Sequence, residues 1–177
     1  MLTDIFGNSI FKGERIMRIV IEGLILSLIL YLTCAVWIRN GAVNMVFLYS
    51  KEVQERVIAK GMTTAEKIRR SGNLFKTFGL IFYFGYAMIC VYAINGTRGF
   101  LPSFIELVLI LMIMGVFDRI FIDTIWVGHT KAWMIPGTED LMPYITVKNH
   151  ITKWVMTLIG YPLVSAILCG IMALILK

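Results

Sequence analysis

Asp118, Arg119, Asp123 and His129 place ionisable groups inside, and just beyond, a long apolar run. A charged residue at the centre of a lipid-spanning helix costs about 2.5–3.5 kcal/mol on insertion scales, so such groups ordinarily pair, relay protons or hold a ligand. At about 100° per residue, Arg119 and Asp123 share a helix face and pair at i,i+4, whereas Asp118 points away from Arg119 and is left for another partner. Ile122, Ile125 and Trp126 surround the set, and His129 and Lys131 follow. Two chemistries fit these residue types. Asp118, Arg119, Asp123, Trp126, His129 and Lys131 could bind a small amphiphile or ion. Alternatively, Asp118 or Asp123 could act with His129 in proton transfer on a lipid-like substrate.

The stretch after His129 is rich in turn chemistry. Pro136-Gly137 marks a tight turn, and Thr138 is placed to cap a short helix whose first turn holds Glu139 and Asp140. Such a loop beside buried charge is expected to form the lid or mouth of a site. His129 and His150 with Asp123, Glu139 or Asp140 offer metal-ligand types. Without a close His-x-x-x-His or Cys-x-x-Cys spacing, no metal site is expected. The sequence names no cofactor, and the nucleophile elbow, phosphate loop, dinucleotide fingerprint and zincin motif are all missing from it.

The elements that must position these residues are four apolar runs, at 16–38, 74–94, 100–127 and 154–176, each long enough to cross a hydrocarbon core of about 30 Å. Apolar residues make up 58% of the 177, above the roughly 45–50% of soluble domains. The expected fold is therefore an all-α integral membrane protein. One polytopic domain forms a four-transmembrane-helix bundle, with a helical cytoplasmic loop at 39–73 and a second cytoplasmic loop at 128–153. Two placements of the third run are open: hydrocarbon reaches Trp126, or it ends near Phe117 and 118–133 lies along the interface.

Eleven of the 17 Lys and Arg flank the two longer loops, against five on the other side, Lys12 and Lys177 among them. The positive-inside bias then puts both termini outside, and the expected location is the cytoplasmic membrane of a prokaryote. The net charge of +6 is read as topology and lipid contact rather than nucleic-acid binding. Cys34, Cys90 and Cys169 stand alone in separate runs and are read as packing residues.

Local signals fill in the rest. Ser50 begins a helix that Gly61 ends, and Thr63-Thr64-Ala65-Glu66 matches a capping box. Glu52–Arg56 and Glu66–Arg70 are spaced as i,i+4 pairs, and the second of these helices is expected to run on into the second apolar run, with Ser71-Gly72-Asn73 as a point of bending or breakage. Asn95-Gly96-Thr97 reads as a tight turn despite its sequon. Glu22 is expected to pair with Arg18, and Glu106 to sit near the external interface. Phe75, Phe78, Phe82 and Tyr86 read as a packing stripe, Pro162 as a kink, and Ala166 with Gly170 as a small-xxx-small contact. Three functions remain in view: a non-catalytic module that binds or helps translocate an amphiphile or ion, a membrane-embedded enzyme, and a structural subunit of a larger complex. Partners are the bilayer and a homo-oligomer or larger assembly.

Overall fold

A computed structural model describes the backbone of residues 2–176 and the side chains of residues 13–176. The side chain of Lys12, and Lys177, both counted in the charge asymmetry, lie outside the described residues. All regular structure among the described residues is helical, without a strand. In order, α1 spans Leu2–Ile38, a 3-10 turn Ala42–Leu48, α2 Lys51–Ala59 and α3 Ala65–Ile89, which runs into a π turn at Cys90–Ile94. Then α4 spans Phe100–Phe117 and continues as a π-helical segment, Asp118–Val127. Short 3-10 turns at Lys131–Trp133 and Glu139–Leu141 precede α5 (Val147–Val155), a π turn at Met156–Gly160 and α6 (Tyr161–Ile175).

Four stretches are long and apolar enough to cross a membrane: Gly13–Ile38, Ala65–Ile94, Phe100–Val127 and Val147–Ile175. Their outward faces are hydrocarbon, with Ile81 69% and Leu174 71% exposed, while Glu22, Glu106 and Asp123 are buried. This is inside-out for a protein in water and matches the apolar runs of the sequence.

The central element is α4, packed against α1 and α6, with α3 alongside. Its buried face, Ser103, Glu106, Leu107, Ile110, Leu111 and Met114, follows helical spacing. Close approach depends on two glycines. A Cβ at Gly23 of α1 would stand 2.7 Å from the Ile113 side chain, and one at Gly115 of α4 would stand 2.7 Å from both Thr157 and Tyr161. Gly170, singled out by the small-xxx-small spacing, meets nothing within 4 Å. Within this chain the close contacts are therefore made elsewhere.

The helical loop runs on into the second apolar run as expected: α3 is continuous through Ser71-Gly72-Asn73. Gly72 is buried there because the Phe47 side chain lies over it, its Cβ 3.3 Å from where a Cβ on Gly72 would be. The α3 cap is Thr64, whose hydroxyl accepts from the Lys67 N–H at 3.2 Å, so the reciprocal box with Glu66 does not form. Arg56 reaches Asp140 at 3.1 Å instead of Glu52. The aromatic stripe divides: Phe75 packs on Trp37 and Phe47, while Phe78 and Phe82 stack on each other and face outward. Pro162 lies just after the π turn Met156–Gly160 inside a helix that is continuous over Val147–Ile175, where its missing N–H removes one helical hydrogen bond.

A cap of loop residues closes one end of the bundle. Val53 and Val57 of α2 are fully buried in it, with Trp133, Ile135 and Tyr144 from the segment after α4. The Tyr49 hydroxyl donates to the Trp133 carbonyl at 2.7 Å, and the Tyr49 and Tyr144 rings stack with centroids 4.7 Å apart. Thr138 does not cap the following turn. It is fully buried, donating to the Ile135 carbonyl and bonding the Tyr144 hydroxyl at 2.7 Å.

Candidate functional site

Under this cap lies a cavity of about 190 Å³. Its apolar lining comes from Leu30 and Cys34 of α1, Phe75 of α3, and Ile122 and Val127 of the π segment. Leu48, Tyr49, Trp133 and Ile145 of the cap line its other side, and its polar lining is Asp118, Arg119, Asp123 and Lys153. The volume exceeds the roughly 150 Å³ that admits benzene, so a group of about six to eight non-hydrogen atoms fits.

The four charges form one network. Arg119 donates through Nη1 to Asp123 Oδ2 and through Nη2 to Asp118 Oδ2. Lys153 Nζ reaches Asp123 Oδ1 at 2.7 Å. Asp123 is thus held through both oxygens and Asp118 through one, correcting the expectation that Asp118 turns away from Arg119. The cause lies in the reach of Arg119. From Asp118 the helix widens to i→i+5 closure, and from that segment the long Arg119 side chain reaches sideways to its neighbour as well as along the turn to Asp123. The segment turns its charges inward and sets Ile120, Phe121 and Ile125 outward.

The remaining candidates fall away from the cavity. His129 is exposed, its Nδ1 2.7 Å from the Thr124 carbonyl oxygen, and it does not line the space beside Asp123. Lys131 is exposed as well. Trp126 is half-buried and packs against Tyr31 and Trp133, so it acts behind the cavity wall. Among the described residues no three His, Cys, Asp or Glu side chains converge as a metal centre requires.

Sequence reasoning overlooked Lys153, Tyr49 and Cys34 as lining residues. Lys153 had a signal, a lone cation at the start of the last apolar run, but its reach across to Asp123 depends on how α5 packs against the π segment. Trp133 is 1% exposed, and its Nε1 is buried without a hydrogen-bond partner, as is Arg119 Nε.

In the cap, burial and the adjacent Tyr144 phenol push the Tyr49 phenol well above its ordinary pKa, which keeps it a donor to Trp133. The Gly137 N–H donates to Glu139 at 2.8 Å and holds that carboxyl below its usual range.

A second polar cluster occupies the other end of the bundle. Glu106 is 2% exposed, accepting from Arg15 Nε and from the Thr97 hydroxyl, both at 2.5 Å. Asn95 donates to Glu22 at 3.1 Å, and Arg18 turns to Asn95 at 3.4 Å rather than to Glu22. The Asn95–Thr97 turn therefore locks α1 to α4. About 18 Å of helix separates Glu106 from Asp118. Leu26, Leu30, Leu107, Ile110, Leu111 and Met114 fill the middle of the bundle, each no more than 6% exposed.

Comparison with protein-family models, with curated proteins and with solved structures finds no match. The functional reading rests on the site alone.

Proposed function

We propose that this chain is an integral membrane module that binds a small amphiphile or polar solute in the capped cavity, without catalysing its conversion. The four apolar helices cross the bilayer, and the segments 39–73 and 128–153 lie on the cytoplasmic side with both termini outside. Hydrocarbon then extends along the third helix toward Trp126, because Ile120, Phe121 and Ile125 face outward there and the charges face in. The cytoplasmic membrane of a prokaryote is the location consistent with this orientation.

The observation that carries the reading is a cavity beside a charge network that leaves hydrogen-bonding capacity unused. A purely structural ion pair would be closed on itself. Here Asp118 is bonded through only one oxygen, and Lys153 spends one of its three donors on Asp123. Catalysis by a carboxylate–histidine pair has less support, since His129 faces away from the space that Asp123 borders. Translocation by a single chain also has less support, because tightly packed leucine, isoleucine and methionine fill the bundle between its polar ends.

A cavity-filling variant tests the proposal without touching a charge. Purified into lipid nanodiscs and examined by native mass spectrometry, the wild type is expected to retain a bound small molecule. Cys34→Phe is expected to lose it while unfolding within a few degrees of the wild type. A wild type carrying only bulk lipid, or a variant that keeps the same occupant, overturns the reading.

A further inference from the structure

We infer that the occupant carries a zwitterionic head, a primary ammonium beside an acidic oxygen, and that Asp118 receives the ammonium while Lys153 and Arg119 receive the anion. This rests on the cavity being a binding site, as proposed above, and adds the chemistry of what it holds.

Charge balance comes first. The network contains two carboxylates, Asp118 and Asp123, and two cations, Arg119 and Lys153, so it is neutral as it stands. It is also poorly hydrated: the side chains of Asp123 and Arg119 are 6% and 11% exposed. A ligand with net charge would leave that charge uncompensated in a weakly screening environment, whereas a zwitterion adds none.

The unused valences come next, and they are of both kinds. Asp118 gives Oδ2 to Arg119 and leaves Oδ1 as a free acceptor, on a side chain 18% exposed that lines the cavity. Lys153, 28% exposed and lining the same cavity, has two ammonium hydrogens beyond the one on Asp123. Each Arg119 terminal nitrogen makes one bond and carries a second hydrogen. An anion alone would satisfy the donors and repel Asp118. An amine alone would satisfy Asp118 and face two cations. A single head with both groups joined by a two-carbon spacer answers all three side chains. At about eight non-hydrogen atoms, a phosphoethanolamine-sized group is within the space available.

The same head exists as part of a membrane lipid and as a free solute, and the apolar lining does not by itself choose between them. The test uses the purified full-length protein in detergent, with binding read as a shift in thermal unfolding and as a dissociation constant. The probes are short-chain phosphatidylethanolamine, phosphatidylglycerol and phosphatidylcholine, together with free O-phosphoethanolamine. The ethanolamine lipid is expected to bind at least tenfold tighter than the glycerol lipid, which lacks the ammonium, and than the choline lipid, whose quaternary nitrogen has no hydrogen to donate. Saturable binding of O-phosphoethanolamine at comparable affinity assigns the site to a free solute, and binding of the lipid alone assigns it to a headgroup. Either result supports the zwitterion.

In Asp118→Asn the tenfold preference is expected to collapse to under threefold. The comparison on the wild type is decisive even if this variant does not fold. Equal or tighter binding of the anionic lipid overturns the inference. So does failure of every probe to bind while the wild type retains a native occupant that Cys34→Phe loses, and that outcome leaves the binding reading standing. Loss of both brings down the binding reading itself.

Discussion

Arg119 joins two carboxylates that would otherwise repel each other, so its side chain carries more of the network than any other. Replacing it with methionine strands Asp118 and leaves Asp123 with Lys153 alone, a buried imbalance that costs about 3–5 kcal/mol. Lys153→Met leaves Asp123 still bonded to Arg119, and Lys153 is itself partly exposed. Its expected cost is smaller, about 1–3 kcal/mol. Unfolding of the two variants in the same mixed micelles should show this order, and equal losses would mean that the network is not centred on Arg119. The residue types at 118, 119 and 123 were legible because charge among hydrocarbon stands out in any window. Their geometry was not, since reading Asp118 as averted took account of helix angles but not of the reach of the Arg119 guanidinium, which bonds both carboxylates. Lys153 escaped notice for a related reason. Nothing in a linear pattern says that a cation 30 positions away bends back to Asp123.

Where helices touch, the fold depends on the absence of a side chain at two positions. Gly23→Ala or Gly115→Ala places a methyl group 2.7 Å from neighbouring carbons and should destabilise by about 1–3 kcal/mol. Gly85→Ala and Gly170→Ala enter open space within this chain and should be neutral, or stabilising by up to about 1 kcal/mol through helix propensity. Thermal unfolding of the four variants in one detergent checks the contrast, and similar behaviour across all four would contradict the packing described for α1, α4 and α6. Element number, type and rough extent were readable from apolar run length, because the length of a spanning helix is set by the thickness it must cross. Contacts were not, since a glycine against a partner and a glycine facing out look the same in sequence. Caps occupied the middle ground: Thr64 lies within the four residues that the box suggested, but Thr138 turns inward because Tyr144 and Ile135 offer it buried partners.

For the molecule as a whole, the uneven distribution of Lys and Arg makes a directional prediction. In intact cells, Lys60→Cys should resist a membrane-impermeant maleimide until the membrane is opened, whereas Arg98→Cys should react from outside. Both positions are exposed, so access rather than burial decides the result. The reverse pattern would invert the topology and place the capped cavity on the outer side. Counting charges gives the orientation that this labelling tests. The cap was only half legible, its turn residues pointing to a lid, while the stacking of Tyr49 on Tyr144 joined segments nearly a hundred positions apart. The dry middle of the bundle has a further meaning once the helices stand across a bilayer. A transmembrane voltage would drop mainly over that leucine-rich stretch, where Ser27 turns its hydroxyl to its own helix at Gly23 and no charged group lies among the leucines. Cells making the protein in quantity should therefore keep their proton gradient intact, holding the cavity as a chamber sealed electrically from the far side.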